Sequence, residues 1–295
     1  MGSLRRGYQW GGVNLRFGHA ARGAHCFAPV RSVLMSCGNG ESCSAFGGGM
    51  TGHASQGRAC LPPGRRVYAV GDIHGRIDLL RRLNARILAD AEAAQADSCI
   101  VIYLGDYVDR GGHSREVIES LIEDPIPHFE CVSLLGNHEA FLLEFLDNPG
   151  HGNSWVFNGG DTTLRNYGVE VGDPEFSTGG WEWLRDRFAD CLPKTHLEFL
   201  RGLPLMHDEG DYLFVHAGIR PGVPLEEQVR EDLLWIREGF LDCEDDLGKV
   251  VVHGHTPAKE IQVKSNRIGI DTGAWMSDTL TCVVLHDREH AFIQT

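Results

Sequence analysis

The chain has 295 residues and a net charge of −14, with 42% apolar and 23% charged residues, close to the average of soluble globular proteins. No uninterrupted apolar stretch approaches the ~18 residues of a membrane span, which excludes a membrane partner of that kind. The charge is uneven: six arginines against Glu41 give residues 1–64 a net +5, so the other 231 residues carry −19. A body this acidic repels polyphosphate backbones, which argues against a nucleic-acid partner and suits metal cations. Nine cysteines without C-x-x-C spacing read as reduced thiols in a cytoplasmic protein.

Residues 1–64 are rich in Gly, Ser and Arg, contain the run Gly47-Gly48-Gly49 and lack an amphipathic period, so a disordered tail is expected there. The best secretory candidate, Cys26 to Cys37, is broken by Pro29 and Arg31, and the glycine content works against the amphipathic helix of a transit peptide. The abrupt change after Pro62-Pro63-Gly64 leads us to expect translation from Met35 or Met50, which the intact mass of natively expressed protein tests. From residue 65 to 295 one folded domain is expected.

Within it, Val67 to Val70 reads as a buried strand, and Ile77, Leu80, Leu83, Ile87 and Leu88 mark one face of a helix over Ile77 to Ala94. Strands over Cys99 to Leu104 and Phe129 to Leu135 then alternate with helices over Ser114 to Glu123 and His138 to Leu146. Trp155 to Leu203 is mostly helical, as in Trp181 to Leu192 and His196 to Leu200, and reads as an inserted cap. Strand patterns return at Tyr212 to His216, Val250 to His253, Val263 to Ile270, Leu280 to Leu285 and Ala291 to Ile293. Early β-α units followed by late strands predict an α/β fold of two packed mixed sheets flanked by helices, with a helical insertion.

Polar residues recur where the strands end. The first strand runs into Gly71-Asp72-Ile73-His74-Gly75, the second into Gly105-Asp106-Tyr107-Val108-Asp109-Arg110-Gly111, and the third into Gly136-Asn137-His138-Glu139. His216 closes a later strand and His255 follows another. Ligands of open α/β sheets sit beyond the carboxyl ends of the strands, so these turns are expected to converge. Asp72, His74, Asp106, Asn137, His216 and His255 offer oxygen and imidazole nitrogen but no thiolate, a set suited to manganese, iron or zinc. Six ligands exceed the needs of one four-coordinate ion, so two divalent ions bridged by Asp106 are expected.

The ordered set GDIHG (71–75), GDYVDRG (105–111), GNHE (136–139), FVHAG (214–218) and GHTP (254–257) resembles the calcineurin-like metallophosphoesterases, and among them the PPP-type serine/threonine phosphatases. The segments 155–160 and 234–237 are similar to those of the bacterial and bacteriophage members. Leu135 stands where the eukaryotic enzymes have arginine, and Ala217 where they have glycine, so regulatory subunits of that kind are not indicated. The resemblance implies that Asp72, His74 and Asp106 hold one metal and Asp106, Asn137, His216 and His255 the other. A hydroxide bridging the metals would attack phosphorus, with His138 as general acid oriented by Asp109, and with Arg110, Arg237 and Asn137 on the phosphate.

Trp155, Trp181, Trp183 and Trp235 are expected to be packing residues, Trp155 with the option of walling the cleft. His253 is expected behind the metal ligands or in the core, Asp271 to orient a ligand through a hydrogen bond, and His113 and His207 to be structural or exposed. The function expected is hydrolysis of phosphoserine and phosphothreonine in proteins. A small-molecule phosphoesterase splitting diadenosine tetraphosphate symmetrically is the alternative, and a non-catalytic phosphate-sensing module is the third reading.

Overall fold

The computed structural model describes residues 59–96, 98–123, 125–171 and 180–295. The chain parts into two units, Met1–Ala54 and Ser55–Thr295, and every described residue belongs to the second. Most of the tail expected over residues 1–64 therefore lies outside the described residues. Residues 59–64 are held on the folded body: Leu61 is buried, and its N–H donates to the Asp287 carbonyl.

Strands β1 (Arg65–Val70), β2 (Ser98–Tyr103) and β3 (Glu130–Ser133) are parallel neighbours, linked by helices α1 (Ile77–Ala94) and α2 (Ser114–Glu123). Helix α3 (Asn137–Asp147) follows β3. The insertion then runs through a 3-10 turn (Pro149–His151), the short α4 (Gly152–Trp155), a π turn (Val156–Gly160) and α5 (Asp161–Asn166). It ends with α6 (Gly180–Cys191) and α7 (Lys194–Gly202).

A second sheet is built from β4 (Met206–Glu209), β5 (Tyr212–Val215), β6 (Val250–His253), β7 (Gln262–Val263) and β8 (Arg267–Gly269), with α8 (Arg230–Trp235) between β5 and β6. Short α9 (Ala274–Ser277) leads into β9 (Thr281–His286) and β10 (Glu289–Gln294), which return to the first sheet. The strand orders are β10-β9-β1-β2-β3 and β4-β5-β6-β8-β7, the two mixed sheets expected from the pattern. Two details differ. The strand expected over Val263 to Ile270 is an antiparallel hairpin, turned at Lys264 to Asn266 and closed by the Lys264 N–H on the Arg267 carbonyl. Strand β4 pairs with β5 although its polar sequence, Met-His-Asp-Glu, carries no strand pattern of its own.

Strands β1, β2, β5, β6 and β9 read largely as apolar runs because both of their faces are buried. Val67, Ala69, Ile100, Ile102, Val283 and Leu285 meet Tyr212, Phe214, Val252 and Ile268 between the sheets. The alternate residues Tyr68, Val70, Val101, Tyr103 and Val284 face outward under Leu80, Leu83, Ile87 and the insertion's Trp155 and Phe188. On the far side Leu213, Val215 and Val251 pack against Leu233 and Phe240. With β1, β2, β3, β5, β6 and β8 thus layered, the turns after five of them open along one seam.

Candidate metal centre

Five residues on this seam hold left-handed backbone: His74 (φ 46°), Asp106 (53°), Asp109 (71°), Arg110 (66°) and His255 (62°). Each such non-glycine residue costs on the order of 1–3 kcal/mol, and strain of that kind persists where a site requires it. The turns also press together. A Cβ on Gly136 would lie 2.3 Å from the Asp106 nitrogen, and one on Gly105 2.6 Å from Gly136 Cα, so the second and third strand ends meet only through glycine. Glu139 ties them: its carboxylate accepts the backbone N–H of Asp106 (2.8 Å), Tyr107 (2.7 Å), Val108 (3.1 Å) and Gly136 (3.1 Å). Burial and the Asp106 charge push the Glu139 carboxyl upward, and the donors around it pull it back toward the ionised form.

Two tight groups form around Asp106. His74 and His138 make one and His216 and His255 the other, their ligand atoms all within 4.8 Å of one another, and every member is buried. The tautomers follow from the partners. His74 Nδ1 donates to the Val108 carbonyl (2.8 Å) and His216 Nδ1 to the Leu104 carbonyl (2.9 Å), so both Nε2 atoms turn a lone pair inward. Burial depresses both rings, keeping them neutral. Asn137 Oδ1 stands 2.8 Å from His216 Nε2 and 2.8 Å from His255 Nδ1.

This donor set fits divalent metal. The neutral His216 faces the Asn137 oxygen lone pair to lone pair, which a cation between or beside them would resolve. His255 Nε2 is buried with no hydrogen-bond partner among the described residues, and its ring is held neutral by burial and His216. Burial and the Asp271 and Asp106 charges push the Asp72 carboxyl up, and burial and the Asp106 charge push Asp271 to about 6, whereas at Asp106 burial is outweighed by its contacts with His216, His138 and His74, which hold it well below the usual range. Asp72 belongs to neither tight group. Its carboxylate accepts the His255 N–H at 3.1 and 3.2 Å, linking the first strand end to the last.

The remaining expected residues converge as well. His138 Nδ1 lies 2.7 Å from Asp109 Oδ2. Burial opposes the charged imidazole, but Asp106 and Asp109 outweigh it and raise the His138 pKa. Arg110 reaches His74 Nε2 (2.8 Å) and His138 Nε2 (3.0 Å), and its guanidinium lies 5.4 Å from the Trp275 ring. Arg237 donates to the His255 carbonyl (3.4 Å), and burial and Arg110 lower its pKa. His253 faces away, with Arg267 Nη1 3.2 Å from its Nε2, and Asp271 accepts the Gly273 N–H. His113 is exposed and His207 half-buried beside Glu209.

A family model for calcineurin-like phosphoesterases matches residues 65–277. The chain belongs to that family. It is 29% identical over 226 residues to Serine/threonine-protein phosphatase 2 of Escherichia coli (strain K12), covering 74% of this chain and 91% of that one. It is 26% identical over 240 residues to the asymmetrical Bis(5'-nucleosyl)-tetraphosphatase PrpE of Bacillus thuringiensis (strain Al Hakam), covering 75% and 90%. A crystal structure of a candidate diadenosine tetraphosphatase superposes with a TM-score of 0.51 at 20% identity, over 78% of this chain and 93% of that one. This calcineurin-like chain is thus a metal-dependent phosphoesterase, its His and Asp groups able to hold the metal. Among the described residues no helix is long and apolar enough to cross a membrane.

Three features escaped the sequence reading. Trp155, expected to pack, also donates its indole N–H to Asp109. Thr163 donates to the same carboxylate. Glu139, legible only as part of a motif, serves as the cradle for four backbone amides. Thr163 had no local signal, because a threonine in a helix is ordinarily unremarked.

Proposed function

We propose that this chain is a serine/threonine protein phosphatase, hydrolysing phosphoserine and phosphothreonine monoesters in proteins. The observation that carries the reading is the buried His138–Asp109 pair, 2.7 Å apart, with Arg110 held 3.0 Å from His138 Nε2. A serine or threonine alkoxide is a poor leaving group and requires a proton, whereas a nucleotide leaves as a phosphate anion that needs little help. Similarity to the Escherichia coli phosphatase along nine-tenths of its length supports the same reading.

Asp72, His74 and Asp106 would hold one divalent ion and Asp106, Asn137, His216 and His255 the other. Bound there, two such ions, manganese first, would neutralise phosphate charge and lower the pKa of water. Arg110 has the planar fork to take two phosphate oxygens, with Arg237 and Asn137 as further contacts. When Arg110 turns to the phosphate it leaves His138 Nε2, which then carries the proton given to the departing oxygen while Nδ1–H stays on Asp109.

A dinucleoside tetraphosphate is the second reading. It is favoured by two partly exposed indoles, Trp275 against Arg110 and Trp235 against the His255 ring (5.9 Å), flat faces on which a base can stack. Comparing kcat/KM for a phosphothreonine peptide and for diadenosine tetraphosphate on manganese-loaded protein decides. Preference for the peptide supports the phosphatase, preference for the dinucleotide replaces it, and turnover of neither favours a phosphate-sensing module.

A further inference from the structure

Asp109 is fully buried, and its carboxylate has more partners than the histidine it orients. Trp155 Nε1–H donates to Oδ2 at 3.0 Å and Oδ1 at 3.2 Å, and Thr163 Oγ lies 2.6 Å from Oδ1. The Asp109 N–H donates to Thr163 Oγ (2.9 Å) and Ser114 Oγ (3.1 Å). Because the Thr163 oxygen accepts that N–H, its own single proton is directed to Oδ1, the shorter of its two remaining contacts. With His138 Nδ1 on Oδ2, three donors fix the carboxylate plane.

These donors come from one piece of the insertion. Trp155 ends α4, Thr163 lies in α5, and the π turn between them contains Gly159 at φ 106°. The Gly159 carbonyl accepts the Arg110 N–H (3.3 Å), and a Cβ there would lie 2.9 Å from Arg110 Cγ. A Cβ on Gly160 would meet the Trp155 ring at 2.5 Å, so the indole is seated by the same turn. The segment from Trp155 to Thr163 therefore grips Asp109 and Arg110 together.

We infer that Trp155 and Thr163 are positioning residues for proton donation. They act through Asp109, holding it so that the His138 ring presents Nε2 to the leaving oxygen. Misplacing a reacting group by about 1 Å costs as much as 10²-fold in rate, so losing one of the two donors is expected to lower alkyl phosphate turnover by roughly tenfold. The inference rests on the reading of His138 as the acid.

The test uses manganese-loaded protein, with Trp155→Phe, Thr163→Val and Thr163→Ser assayed on an alkyl phosphate and on nitrophenyl phosphate, and metal content measured for each. Trp155→Phe and Thr163→Val should lose about tenfold in kcat on the alkyl ester and less than about twofold on the aryl ester, whose leaving group needs no proton. Thr163→Ser, which keeps the hydroxyl, should behave as the parent chain, and metal content should not change. Equal losses on both esters, or no loss, would overturn the inference, since packing alone would explain them. His138→Asn is the reference. If it shows the selective loss and the two positioning variants do not, this inference fails alone; if it does not, both readings fail.

Discussion

The two ends of the strands hold charge in opposite ways. At the carboxyl ends Asp72, Asp106 and Asp271 are buried beside His74, His216 and His255, and His255 Nε2 has no hydrogen-bond partner among the described residues. At the amino ends lies a cleft of about 600 Å³, lined by Tyr212, Val250, Ile268, Lys249, Lys264 and Arg288 among others. Ion pairs form near that end: Arg65 with Glu130 (2.6 Å) and Glu209 (3.2 Å), and Lys249 with Asp208. A paired ion at or near the surface is already satisfied, whereas desolvated carboxylates that repel one another are stabilised by a cation.

Asp106→Asn gives the largest test of that contrast. It removes the carboxylate shared by both groups, and activity should fall by at least ~10³-fold, beyond the ~10–100-fold of an outer partner. Elemental analysis should show metal lost with it, and retention of both ions would break the comparison. His138→Asn comes next: metal content unchanged and kcat on an alkyl phosphate down by roughly 10²–10⁴-fold.

A smaller effect separates burial from carboxylate neighbours. His196, which hydrogen-bonds Tyr167 (2.9 Å) inside the insertion, has its pKa lowered by burial, the reverse of His138 between its two aspartates. A folded pKa below the unfolded ~6.5 means that the unfolded chain binds more protons below that value. Stability from this group is thus fully present above ~6.5 and is lost as pH falls through the lowered pKa. His196→Gln should flatten this part of the Tm profile between about pH 7 and 5, and a parallel profile would reject the assignment. Smallest of all, Lys264→Ala and Arg288→Ala at the opposite cleft should leave kcat/KM within about twofold. A larger loss would mean that the amino-end cleft takes part in turnover.

The ligand blocks were legible because each is a contiguous turn following an apolar strand. A turn of this type carries its polar residues wherever the strand ends, so Asp72, Asp106, Asn137, His216 and His255 could be named as candidates before their convergence was known. What Trp155 and Thr163 touch was not legible, since they reach Asp109 across 46 and 54 residues. The position of Asp72 was also beyond sequence, because the His255 N–H that it accepts lies 183 residues away. Strand β4 escaped for a related reason: pairing with β5, rather than its own residue preferences, makes it extended.

By itself, then, the sequence determined the alternation of strands and helices, the two-sheet class and the chemical identity of the donors, all of which follow from residue type and short spacing. The tertiary structure alone decided which atoms meet. It brought the strand ends along one seam, turned five residues into the left-handed region, and used Glu139 and the Trp155–Thr163 segment to fix the turns. Such contacts depend on layers packing at a set distance, and no local preference encodes that distance.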